Sequence, residues 1–310
     1  MVSFIMQKEI TTTPIHFNQI LPQTYWQCVS RTHLNKVILL IGDYQSNRSR
    51  GIKQPVMDFL FEYYPFRASW LKKWSPGLGV ALEYDNPNHL PPLKELTKND
   101  SIAFLDPTCI PKKRAKSYKW ILNLLQNTKN KRPAFGCFGM HEWAMVYKSK
   151  EIRHHQIPLR MKPKELAEFV ESRPLVCTHF DAFRFFTKEA TPLNKNQLSR
   201  ETFENMEQPG CIHSNMDLYK WAFKGFPWIS SDTVFAAFKL AFEARKFDMK
   251  ASPYDLAEYG LEPIKIETEQ GRSQYLNAQQ EIFEKAIPVR DKLIAEYEQL
   301  FMMENNQNPP

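Results

Sequence analysis

Five of the eight histidines fall between positions 141 and 213: His141, His154, His155, His179 and His213. They stand in strings that mix acid–base groups with large rings. These are Phe135-Gly-Cys-Phe-Gly-Met-His-Glu-Trp143, Arg153-His-His155, Cys177-Thr-His-Phe-Asp-Ala-Phe-Arg-Phe-Phe186 and Pro209-Gly-Cys-Ile-His-Ser-Asn-Met-Asp-Leu-Tyr-Lys-Trp221. Three chemistries fit these residue types. The first is a metal site of His141, His179 and His213 with a carboxylate such as Asp217 or Glu142, because imidazole and carboxylate suit zinc or non-haem iron. The spacings match no metal signature, and His141-Glu-Trp-Ala-Met145 lacks the second histidine of a zincin.

The second chemistry is hydrolysis of an N-glycosidic bond. That reaction needs one ionised carboxylate to activate water and stabilise an oxocarbenium ion, an aromatic pocket for the base and a basic surface for the backbone. Asp181, Asp217, Glu142 and Asp248 can supply the carboxylate, with His179 and His213 polarising or orienting. Trp143, Phe183, Tyr219 and Trp221 can supply walls that hold a cationic purine by stacking and cation–π contact, with Arg184 and Asn215 as further contacts. The third is a cysteine nucleophile, Cys177 with His179 or Cys211 with His213. Residues two apart face away from each other on a helix, so this needs extended chain, and an inert buried thiol competes with it.

Spacing predicts two local pairs. His213 and Asp217, four apart, share one face of a helix, and Asp181 and Arg184, three apart, form an intrahelical ion pair that would make Asp181 structural.

The elements that must position these groups are mostly helical. Residues 54–71 open with Pro55 and carry Val56, Phe59, Leu60, Tyr63 and Tyr64 at helical spacing until Pro65. Residues 112–132 place Trp120, Ile121, Leu124 and Leu125 on one face among eight Lys or Arg and no acid, a helix able to lie along a phosphate backbone or simply in solvent. Residues 231–247, behind a Ser230-Ser231 cap, line up Val234, Phe235, Phe238, Ala241 and Phe242. Ser252-Pro-Tyr-Asp255 reads as a helix start with Asp255 in a structural, capping-box-like position. Residues 271–303 read as a long helix or helical pair broken at Pro288. Lys36-Val-Ile-Leu-Leu-Ile41 fits a strand or a buried helix, and Glu262–Glu267 is the other extended candidate. The expected fold is mainly α: a single multi-helical domain with a minor strand component. Residues 1–50 would pack on a helical domain of 51–303, with 304–310 (tail Asn305–Pro310) disordered.

The formal charge is +7, and the acid-rich stretch from Glu262 onward leaves about +11 on the first 261 residues, which favours an anionic partner. Only 10 Gly argues against a glycine-rich nucleotide-binding architecture. Five cysteines without a C-x-x-C pair are no disulfide framework. With no signal pattern in residues 1–13 and no membrane-length apolar run, a reducing cytoplasm is the expected compartment, and oligomeric state is not legible.

Four strings resemble a family of bacterial proteins labelled 3-methyladenine DNA glycosylase: Phe135–Tyr147, Cys177–Thr187, Glu207–Trp221 and Asp248–Leu256. Pro55–Tyr64 and Trp74–Val80 match as well, so the resemblance spans about residues 55 to 290. It implies a DNA partner, no cofactor and excision of alkylated purines. Helix-hairpin-helix glycosylases carry a Leu-Pro-Gly-x-Gly hairpin and a catalytic Asp about twenty residues on. Ser75-Pro-Gly-Leu-Gly79 imitates the hairpin and Asp106 lies beyond the expected Asp. The next residues lack the usual helix start, Pro87 would cut a helix short, and no Lys stands where a lyase needs one. Those catalytic residues are therefore not carried over. The leading expectation is a glycosylase using Asp181 or Asp217. The alternatives are a zinc or iron oxidoreductase or hydrolase on a small anionic substrate, and a non-enzymatic helical protein binding nucleic acid through residues 112–132.

Overall fold

The computed structural model describes residues 17–150 and 157–307, with side chains to Met302; Arg153, His154 and His155 lie outside the described residues, as does the expected N-terminal stretch 1–13. The fold is mainly α with a small sheet. Among the described residues no helix is long and apolar enough to cross a membrane.

The chain opens with β1 (Gln19–Leu21) and the helix α1 (Gln23–Ser49). The run Lys36–Ile41 lies inside α1, where Val37 and Ile41 are buried four apart while Leu39 is 87% exposed. That is the period of a helix face, so the strand alternative is wrong. Next come α2 (Pro55–Glu62) and α3 (Ala68–Leu71), with Pro65 between them as its missing N–H requires. Strands β2 (Val80–Glu83), β3 (Leu96–Asn99) and β4 (Ile102–Leu105) follow. The sheet order is β1-β2-β4-β3, with β1 parallel to β2 and the other pairs antiparallel. It closes over a small apolar cluster that includes Trp26, Trp74 and Leu82. The hairpin look-alike at Ser75–Gly79 leads straight into β2, not into a helix. Gly77 and Gly79 take left-handed angles there, and Leu78 N–H donates to Trp228 O at 3.1 Å.

The helical body holds α4 (Lys112–Lys129), α5 (Met140–Ala144), α6 (Pro163–Glu171), α7 (Phe180–Phe183) and α8 (Phe203–Met206). It finishes with α9 (Ile212–Gly225), α10 (Ser231–Lys250) and α11 (Glu269–Gln307). Each of residues 212–219 in α9 is buried, and α9 packs on both α10 and α11. A helix with no solvent face in its first two turns must bury its polar side chains too, and these then need internal partners. As expected, α10 starts at the Ser230 cap, whose Oγ accepts from Thr233 N–H at 3.3 Å.

Three local readings are corrected. No helix starts at Ser252; the chain runs extended past Tyr254, whose backbone bridges Leu159, and Asp255 instead accepts from Ala257 N–H at 3.1 Å in the turn that leads into a 3-10 segment. Residues 262–267 form no strand: Ile264 and Ile266 are buried without a ladder partner, and Glu267 pairs with Arg160 at 2.8 Å. Pro288 does not end α11, which runs unbroken to Gln307. Pro288 and Glu284 are both exposed, so water takes the carbonyl that the proline leaves without a donor.

Candidate functional site

The three histidine strings that the structure describes converge. His141 comes from α5, His179 from the residue before α7, and His213 from the first turn of α9. The His141 and His213 rings lie 4.5 Å apart edge to face, and His213 stacks on His179 at 5.3 Å. Ahead of α5, Phe138 and Gly139 both take left-handed angles (φ 48° and 74°). This strained turn opens the helix, one turn of which sets Cys137 Sγ 3.4 Å from His141 Nδ1.

Around the rings lie two charged sets. In the first, Arg245 of α10 holds Glu142 at 2.6 Å and Asp248 at 3.2 Å, and His141 Nε2 lies 3.3 Å from the same Asp248 oxygen. Burial opposes a charge on His141, but Asp248 outweighs it and holds the imidazole well above its ordinary range. In the second set, Lys220 of α9 bridges Asp181 at 2.8 Å and Asp217 at 3.0 Å. His179 pairs with Glu207, and burial, which opposes its charge, is outweighed there too. His213 differs: burial, then the neighbouring His141 and His179 charges, push it well below the usual range, and it makes no hydrogen bond among the described residues. Its ring stands against those of both His141 and His179.

His213 and Glu142 face a cavity of about 300 Å³. Its walls include Phe59 of α2 and Tyr63 just past its end, stacked at 4.8 Å, with Phe185, Tyr254 and Tyr259. Arg245 lies 4.0 Å over the Phe59 ring. Of the charged lining groups, Asp58, Glu62, Glu142 and Asp181 outnumber Lys53 and Arg245. Burial raises the carboxyl of Asp181, but Lys220 outweighs it and keeps this acid below its ordinary range. Burial next to Asp217 and Asp181 lifts the Tyr63 phenol to about 12, so it stays protonated at neutral pH. A smaller cavity of about 190 Å³ lies on the other side of His213 and is lined by Cys137, Cys177, Cys211 and His141.

The expected aromatic walls are elsewhere. Trp143 is in the core, its indole N–H donating to Ala251 O at 2.9 Å, and Tyr219 is fully buried edge-on to Tyr64 and Phe238. Trp221 lies beneath the ammonium groups of Lys220 and Lys224, and Phe183 packs on Phe186. None of the four lines the larger cavity. Asn215 is a brace, taking Arg290 Nη2 at 2.6 Å and donating to Pro209 O at 3.1 Å. Arg184 makes the expected pair with Asp181 at 3.3 Å and also covers Phe185. No hydrogen bond or ion pair joins His213 to Asp217; Asp217 is taken by Lys220 and by the Tyr64 hydroxyl at 2.7 Å. The Cys177 thiol points to the His179 carbonyl at 3.5 Å and not to the ring, and burial raises both Cys177 and Cys211. Neither is a Cys–His nucleophile.

The donors that could share one ion are not the three histidines. One set is His141, His213 and Asp248; the other is His179, Asp181 and Asp217, whose two carboxylates already hold the Lys220 ammonium. Arg245, Lys220, Tyr63 and Tyr64 were missed as site residues because each also reads as ordinary helix patterning. The i,i+3 pairs Asp217–Lys220 and Arg245–Asp248 were the available signal.

Asp217 rests on Tyr64. Tyr64→Phe removes the one hydroxyl that donates to its Oδ1 and leaves a buried carboxylate lone pair unmet. We expect a loss of about 1.5–3 kcal/mol in urea unfolding; an unchanged midpoint would mean that the bond contributes nothing.

Comparison with protein-family models finds no match to this chain. Neither curated proteins nor solved structures match it.

Proposed function

We propose that the protein hydrolyses the N-glycosidic bond of a cationic alkylated purine of the 3-methyladenine type in DNA, with Asp181 as the water-activating carboxylate. The observation that carries this reading is an aspartate kept ionised by Lys220 on the wall of an aromatic cavity with more acids than bases. The flat pair Phe59–Tyr63 suits a stacked base, and the acid excess favours a cationic occupant over an anionic one. Asp217 is assigned a positioning role, since it holds Lys220 and stands outside the cavity lining.

The chemistry balances simply. The bond from C1′ to the base nitrogen breaks, its electron pair neutralises the cationic base, and water adds to C1′ while Asp181 takes the proton and passes it to solvent. A base that leaves neutral needs no general acid, so one ionised carboxylate is sufficient. For the nucleic acid, a neighbouring groove offers Arg67, Arg114 and Lys224 with the half-exposed Trp70. The end of α2 joins the two, since Tyr63 lines the cavity and Pro65 and Phe66 line the groove.

The test is release of 3-methyladenine from methylated DNA in EDTA buffer, followed by chromatography across pH. The rate should hold as pH falls from neutrality to the ordinary aspartate value of 3.8, because Lys220 keeps Asp181 ionised below it. No release from DNA or nucleoside ends the proposal. An acid limb in the ordinary histidine range would move the role of base off Asp181.

A further inference from the structure

We propose that His141, His213 and Asp248 bind a divalent first-row transition metal ion, in the wall between the two cavities. This inference is independent of the base-release reading, which uses Asp181 and needs no ion.

The geometry carries it. One donor atom from each residue lies within 4.8 Å of the other two, and all three side chains are buried. His141 Nε2 and Asp248 Oδ2 are 3.3 Å apart. That is about the separation of two tetrahedral ligands with bonds of about 2.0–2.1 Å. The third donor is free to close in: His213 is 6% exposed and makes no hydrogen bond among the described residues. Asp248 Oδ1 is likewise buried without a hydrogen-bond partner. An unmet buried carboxylate oxygen is costly for a fold, and a bound cation beside Asp248 would offset that cost.

The surroundings have the form of outer partners to a metal site. His141 turns its second nitrogen to Cys137, and Arg245 fixes Asp248 by Oδ2 while it is itself held by Glu142. Two imidazoles and a carboxylate select zinc or ferrous iron over magnesium or calcium. Three protein donors leave at least one position open, and His213 lines both cavities, so that position is reachable from the larger one. The histidine trio expected from the sequence is thereby corrected: His179 is committed to Glu207, and Asp248 takes its place.

The experiment uses the full chain, purified without an affinity tag or chelator and analysed by elemental mass spectrometry. It is then stripped and titrated with Co²⁺, whose visible bands report ligation. We expect about one equivalent per chain, and binding about a hundredfold weaker or worse in His213→Ala. His213 is packed against the His141 and His179 rings, so the variant should lose some stability through the space it opens; urea unfolding then shows whether it is still folded under the titration conditions, which separates a lost ligand from a lost fold. A parent chain that takes up neither native metal nor Co²⁺, or a folded His213→Ala chain that binds as tightly, overturns the site. Base release by a chain that takes up neither native metal nor Co²⁺ would remove the metal proposal alone, whereas a bound metal without base release would remove only the glycosylase reading.

Discussion

Asp181→Asn should lower base release by about 10²–10⁴-fold, the range for removal of a general base, while the chain stays folded. The substitution keeps the shape of the side chain and takes away the charge that must stabilise the oxocarbenium ion and accept a proton from water. Its structural cost is limited because Lys220 retains Asp217 at 3.0 Å and the Asp181 side chain is 22% exposed. Single-turnover rates on methylated DNA, set beside urea unfolding of the same preparation, give the answer. Activity within tenfold of the parent would move the reaction off Asp181.

The largest loss of stability should follow Arg245→Met. The guanidinium pairs with both Glu142 and Asp248, and all three side chains are buried. Removing one member of a buried network strands the others, which typically costs about 3–5 kcal/mol. His141 would be left as the only cationic neighbour of Asp248. Urea unfolding measures this directly, and a change under about 1 kcal/mol would show that water reaches the carboxylates. A double variant, Arg245→Met with Glu142→Met, should recover part of the loss, because it removes one of the stranded charges together with its partner.

How much of this was legible depended on length and on competition. The helices α2, α4 and α10 announce themselves through apolar spacing and, for α10, through the Ser230 cap. The sheet does not, because its strands are only three or four residues long and too short for alternation to show. The run at Lys36–Ile41 is apolar at consecutive positions and so carries no period of its own; exposed Leu39 beside buried Val37 is what resolves it. The convergence of His141, His179 and His213 follows their clustering in sequence, yet their partners do not. His213 and Asp217 share a helix, but His141 from α5 and Tyr64 from the turn after α2 reach them first, and tertiary neighbours displace an intrahelical pair worth only about 0.2–0.5 kcal/mol. The aromatic walls were misplaced for a similar reason. Trp143, Tyr219 and Trp221 are the larger rings near the histidines, and large rings in the centre of a fold are drawn into its core.

The larger cavity draws its lining from positions as far apart as Lys53 and Tyr259, with Glu142, Asp181, His213 and Arg245 between them. No short fragment of the chain contains it, and it comes into being only when more than two hundred positions are in register. An occupant therefore recognises the native state and nothing on the way to it. Its binding free energy adds in full to the stability of the whole chain, by about 2.7 kcal/mol at a ligand concentration a hundred times its dissociation constant. Occupancy and protein lifetime are thereby coupled: the chain is most resistant to unfolding when the cavity is filled.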